Sequence, residues 1–224
     1  MAYIQIIFTG SIFGLIPLLP MAAFFHAIRL KMDNLKTLKP AIPHMLASYL
    51  FCFVLLSILT AIGIPGVNYL EFSPQTNFVP FIDIHTNSLQ YMQNILLFIP
   101  FGFLLPLLWK RFEKIIPTII FGALFSLSIE AIQIFCPRIT DIDDLLMNTA
   151  GTIIGYFLFI ITKRVFPKIS VFSADDSNHW KGEPYLYFAL AWLVMFLIEP
   201  YISNHLLSPM TFSPGSLPLL QDPM

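Results

Sequence analysis

The stretch EAIQIFCPRITDIDDLLMNTAGTIIG, Glu130 to Gly155, decides the fold. Its first residues close one apolar run and its last lie inside another, so a short charged segment joins two hydrophobic helices. On the downstream side Asp141, Asp144, Asn148, Gly151 and Gly155 follow at steps of three, four, three and four, a single stripe along one side of a helix. On the upstream side Glu130 and Gln133 are three apart and share a helical face. The remaining positions are mostly Ile, Leu, Phe and Met. Side chains of that kind need lipid or a core around them, and the few polar groups need one another.

The rest of the chain has the same character. Of 224 residues, 57% are hydrophobic and 11% charged, and the mean hydropathy is +0.76; a soluble domain carries about a quarter charged residues. Charge this scarce cannot clothe the surface in water. Twelve basic residues against thirteen acidic ones give a net charge of −1, which argues against nucleic acid as a partner, since phosphate neutralisation needs clustered excess base. Six apolar runs reach the roughly 20 residues that cross a hydrocarbon core of about 30 Å. They are Ile4–Phe25, Met45–Ile64, Leu89–Trp109, Ile115–Phe135, Asp143–Thr162 and Pro184–Asn204. The expected fold is all-α, a polytopic integral membrane helix bundle of about six transmembrane helices.

Orientation follows from the basic residues, which are retained on the cytoplasmic side. Eleven of the twelve fall in alternate loops: Arg29 to Lys39, Lys110 to Lys114 and Lys163 to Lys181. Both termini are then outside, with loops 65–88 and 136–142 and the tail facing out as well. Arg138 is the one basic residue on that side. The first span lacks basic residues before its apolar run and has four after it, which fits an uncleaved anchor rather than a secretory signal. Cys52 and Cys136 lie at different depths, too far apart for a disulfide. Residues 1–207 read as one transmembrane domain with the motif region at 89–162, and 208–224, rich in Pro and Ser, as a flexible extracytoplasmic tail.

Ionisable residues inside spans are functional candidates by default. Counted inward at about 1.5 Å per residue, Asn94, Glu130 and Asn148 share a depth of roughly 10 Å in the outer leaflet. Nearer the rim are Gln133, Arg138, Asp141, Asp143 and Asp144, with Glu199 by the end of the sixth span. A polar, largely acidic pocket open to the outside follows. Interhelical hydrogen bonding is the structural alternative, at about 0.6 kcal/mol per contact. Gly151 and Gly155 form a GxxxG pair and Gly10 and Gly14 repeat it, so spans one and five are candidates for close contact. His26, beside Arg29 at an inner span end, reads as interfacial, with no ligand spacing around it.

These residues resemble a known signature. The set Glu130, Gln133, Arg138, Asp141, Asp144, Asn148 and Gly151 is similar to that of the VanZ-like family, and Asn94-Ile-Leu-Leu-Phe98-Ile-Pro100-Phe101-Gly102, followed by Pro106, resembles its other hallmark. The resemblance implies a bacterial integral membrane protein of the cell envelope, related to an accessory protein of low-level teicoplanin resistance. It implies no mechanism.

Three functional expectations follow. The leading one is an envelope protein that binds an amphiphile of the outer leaflet, a lipid-linked cell-wall precursor or a lipoglycopeptide, through Asn94, Glu130, Gln133, Arg138, Asp141, Asp144 and Asn148. Gly102, Gly151 and Gly155 are assigned to helix packing. The second is an enzyme acting on a lipid headgroup, with Glu130 or Asp144 as general acid/base and Arg138 on a phosphate. The oxygen-rich set could hold a divalent cation, though no metal-binding motif and no cofactor is read from the sequence. The third is a small proton-coupled transporter using Glu130. Oligomeric state is not legible.

Overall fold

A computed structural model describes residues 2–32, 38–62, 72, 75–81, 88–135, 139–173 and 182–198. Six α-helices form in chain order among them: α1 (Ala2–Met32), α2 (Leu38–Ile62), α3 (Ser88–Leu108), α4 (Ile115–Gln133), α5 (Ile142–Val165) and α6 (Glu183–Leu193). A π-helical turn, Val194–Ile198, continues α6. Each expected span overlaps a helix, and the end of the sixth, 199–204, lies outside the described residues. Among the described residues, four helices are long and apolar enough to cross a membrane: Ile42–Ile62, Ser88–Leu108, Ile115–Gln133 and Ile142–Val165. The apolar stretches Gly14–Ala27 and Glu183–Leu197 are shorter.

Lipid is written on the outside of the bundle. Exposed hydrophobics recur at three- and four-residue spacing on α3 (Leu89, Met92, Leu96), on α4 (Ile116, Ile120, Leu124, Leu127) and on α5 (Ile154, Phe157, Leu158, Ile161). In water such stripes would be a liability; against acyl chains they are the expected surface. Inside, the phenylalanines form the core. Phe101 of α3 is fully buried and lies 5.7 Å from Phe51, 6.1 Å from Phe121 and 5.2 Å from Phe125 between ring centroids, so one ring joins α2, α3 and α4.

The closest backbone approach is between α3 and α5. A Cβ placed on Gly155 would overlap Ile99 O and lie 2.8 Å from Phe103 N and 2.9 Å from Gly102 C. One on Gly151 would overlap Ile95 O, and one on Gly102 would lie 2.7 Å from Thr152 C. Only glycine permits backbones this near. The expectation that spans one and five meet through their paired glycines is therefore corrected: Gly151 and Gly155 face α3. In α1, Gly14 faces Leu56 of α2 and Met195 beyond α6, at 3.1 Å and 3.5 Å from its would-be Cβ.

Two short strands close one end. β1 (Gln75–Asn77) pairs in parallel with β2 (Ile139–Asp141), with Gln75 opposite Ile139 and Asn77 opposite Asp141. Parallel pairing needs a crossover, supplied here by α3 and α4, which run away from this end and return to it. The opposite end carries the basic loops. There Lys163 Nζ lies 2.7 Å from Glu113 Oε1, and Tyr156 donates to Glu113 O at 2.7 Å. The charge asymmetry read from the sequence is thus an asymmetry between two ends of one bundle.

Candidate functional site

The site is at the β1–β2 end, around the start of α5. Asp141 caps this helix, its carboxylate accepting from Asp143 N at 3.0 Å, and the acids of the first turn suit the positive helix terminus. Asp143 is fully buried. It accepts from Tyr91 OH at 2.6 Å and from Phe81 N at 2.9 Å. Phe81 holds a left-handed backbone, φ 61°, a conformation a non-glycine residue keeps only when its surroundings fix it. Asp144, one step further round, points toward α3. It accepts from Asn94 Nδ2 at 2.6 Å and from Gln90 Nε2 at 3.2 Å.

A cavity of about 280 Å³ opens beside these groups, lined by Ala61 and Ile62 of α2, Gln90, Gln93, Asn94 and Leu97 of α3, Gln133 of α4 and Asp144 of α5. It is a chamber of amides with one carboxylate. Gln133 is 4% exposed, and its Oε1 has no hydrogen-bond partner among the described residues. A buried acceptor left without a donor costs about 1–3 kcal/mol.

Of the expected site residues, Asn94, Gln133 and Asp144 come together on this cavity. Glu130, Asp141 and Asn148 do not line it. Glu130 Oε2 accepts from Asp141 N at 3.1 Å, and Thr140 Oγ1 donates to Glu130 O at 3.4 Å. This buried glutamate thus ties the end of α4 to the cap of α5. Asn148 is buried and donates to Ser126 Oγ of α4 at 2.9 Å, while its own Oδ1 has no hydrogen-bond partner among the described residues. Arg138, Cys136 and Glu199 lie outside the described residues. Sequence reasoning missed Gln90 and Gln93, which sit within one turn of Asn94. The signal was available, since Gln90, Asn94 and Leu97 follow at steps of four and three.

A second polar cluster lies at the basic end. Glu183, the first residue of α6, is fully buried. Its carboxylate faces His44 Nε2 at 3.2 Å and accepts from Trp109 Nε1 at 3.1 Å and Tyr187 OH at 3.1 Å. His26 Nε2 is 3.8 Å from the same carboxylate and 3.2 Å from Tyr187 OH. The reading of His26 as an interfacial residue is therefore corrected: it is 7% exposed and packed between α1, α2 and α6. No group of three His, Cys, Asp or Glu side chains placed to hold a metal ion occurs among the described residues. Cys52 is a buried free thiol.

The sequence model of a family described as VanZ/LLP1 matches residues 10–163, from within α1 to near the end of α5. Over 100 residues the chain is 33% identical to Protein VanZ of Enterococcus faecium, an alignment covering 44% of this chain and 55% of that protein. The chain thus spans about half the length of the curated relative it matches. No solved structure matches significantly.

Proposed function

Because this chain belongs to the VanZ/LLP1 family, we propose that it is a multi-pass protein of the bacterial cytoplasmic membrane that binds an amphiphile of the outer leaflet in the amide-lined cavity. One observation carries this reading. Gln133 presents a buried carbonyl oxygen, without a hydrogen-bond partner among the described residues, on a cavity whose other described polar lining is Gln90, Gln93, Asn94 and Asp144. A headgroup rich in N–H and O–H donors, a sugar or a peptide, satisfies that oxygen and the Asp144 carboxylate together. The lipid-facing stripes on the adjoining helices leave the acyl tails in the bilayer. A lipid-linked cell-wall precursor and a lipoglycopeptide share this chemistry, and the family membership supports a link to teicoplanin resistance. Both termini are placed outside, with residues 1–207 as the membrane unit and 208–224 as an outer tail.

A second reading rests on Asp144. Glu130, Asp141 and Asp143 each have a carboxylate oxygen bonded to a backbone amide, so Asp144 is the carboxylate placed on the cavity to act as acid or base on a bound headgroup.

Binding of teicoplanin and of a fluorescent lipid-linked cell-wall precursor to protein in nanodiscs tests both readings. Asp144→Asn removes a charged acceptor and is expected to weaken retention about tenfold or more, and Gln133→Leu weakens it less. Equal binding by wild type and both variants overturns the cavity as the site. Turnover of the precursor by wild type, lost in Asp144→Asn, moves the conclusion to the enzyme.

A further inference from the structure

The cluster around Glu183 is separate from the cavity: His44 and Ala61 lie seventeen residues apart on α2, roughly 25 Å along the axis. Its hydrogen bonds constrain where its protons sit. His44 Nδ1 lies 2.8 Å from Phe172 O, and His26 Nδ1 lies 3.0 Å from Ala22 O. A carbonyl oxygen only accepts, so each Nδ1 carries a proton. His44 Nε2 then faces both Glu183 oxygens, at 3.3 Å and 3.2 Å. A bare ring nitrogen against a bare carboxylate is two acceptors in contact, and in a dry interior that repels. Trp109 and Tyr187 bring their own protons to the carboxylate, from other directions and on other atoms. Neither fills the gap to His44.

We propose that His44 and Glu183 form a proton-binding site, one exchangeable proton held between Nε2 and the carboxylate at the end of the bundle expected to face the cytoplasm. The site is walled by groups that can pass the proton on. Tyr187 OH lies between Glu183 Oε1 at 3.1 Å and His26 Nε2 at 3.2 Å. The hydroxyl donates to Glu183 here; in a relay it turns toward His26 Nε2 and gives its proton there as it takes one from a protonated Glu183, so a proton is moved and none is consumed. The titratable side chains packed around the pair among the described residues are His26 from α1, Tyr49 and Cys52 from α2 and Tyr187 from α6.

Histidine-selective 15N labelling of the full chain in nanodiscs tests the proposal at neutral pH. The His44 ring, assigned by the signal lost in His44→Asn, is expected to show both nitrogens protonated. If it shows a neutral ring instead, the proton must be on Glu183, and infrared spectra must contain a protonated carboxyl band that Glu183→Gln removes. In Glu183→Gln the amide itself donates to Nε2, so a doubly protonated His44 signal disappears. A neutral His44 ring in wild type without a carboxyl band from Glu183 overturns the proposal.

Discussion

Replacing Gly155 with Ala tests whether the α3–α5 seam is as tight as the geometry states. The added methyl would meet only backbone: Ile99 O, Phe103 N at 2.8 Å and Gly102 C at 2.9 Å. Ordinary carbon contacts lie at 3.4–4 Å, so the two helices must part by at least about half an ångström, and no rotamer can absorb the change. Overpacking of a close-packed interface costs about 1–3 kcal/mol, and backbone on both sides puts this case near the upper end. Against it stands the helix propensity of Ala over Gly, about 1 kcal/mol. The expected net loss is about 1–2 kcal/mol. Gly14→Ala is the matched control, because its methyl meets Leu56 Cδ2 at 3.1 Å and Met195 Sδ at 3.5 Å, ends of flexible side chains. There the propensity gain offsets the crowding, and stability stays within about 0.5 kcal/mol of wild type. Denaturation in detergent micelles followed by circular dichroism measures both. Equal stability of the two variants would refute the assignment of the α5 glycines to the α3 contact.

Other perturbations have definite outcomes. Asp143→Ala removes the carboxylate that accepts from Tyr91 OH and Phe81 N and is expected to cost about 2–3 kcal/mol; adding Tyr91→Phe should recover part of that loss in a double-mutant cycle. Ser126→Ala removes the acceptor of Asn148 Nδ2, for an expected loss of about 1–2 kcal/mol in the same denaturation assay, and Ser126→Thr should largely retain stability. In a background with Cys136→Ser, cysteines placed at 138 and 144 should react with a membrane-impermeant maleimide added outside intact cells, and one placed at 168 should not. The reverse pattern would invert the assigned orientation.

The helices were legible because each apolar run is long, and the polar stripe on α5 because its spacing matches the helical repeat. Depth counting set Asn94 level with Glu130 and Asn148 and put Gln133 and Asp144 nearer the rim, whereas the cavity joins Asn94 to that rim pair. It failed for Glu130 and Asn148, whose partners Asp141 N and Ser126 depend on rotation about the helix axis and on a capping turn, neither of which depth records. The two GxxxG pairs look alike in sequence, yet Gly151 and Gly155 pack on backbone while Gly14 faces the side chain of Leu56. Partner choice is a tertiary property. Glu183 and His44 are 139 residues apart, and His26 and Tyr187 are 161 apart; Glu183 and Tyr187 are four apart on α6, but no spacing ties them to histidines on two other helices. The three-residue strands have too little alternation to be read at all.

The parallel ladder between Gln75–Asn77 and Ile139–Asp141 also sets an order of assembly. Its two halves are synthesised on either side of a complete helical hairpin, so neither has anything to pair with until α3 and α4 have both been threaded into the bilayer and returned. The lid over the α5 terminus is consequently a late step of biogenesis, and a chain halted before residue 139 would leave the ribosome with four spans' worth of greasy helix and an uncovered rim.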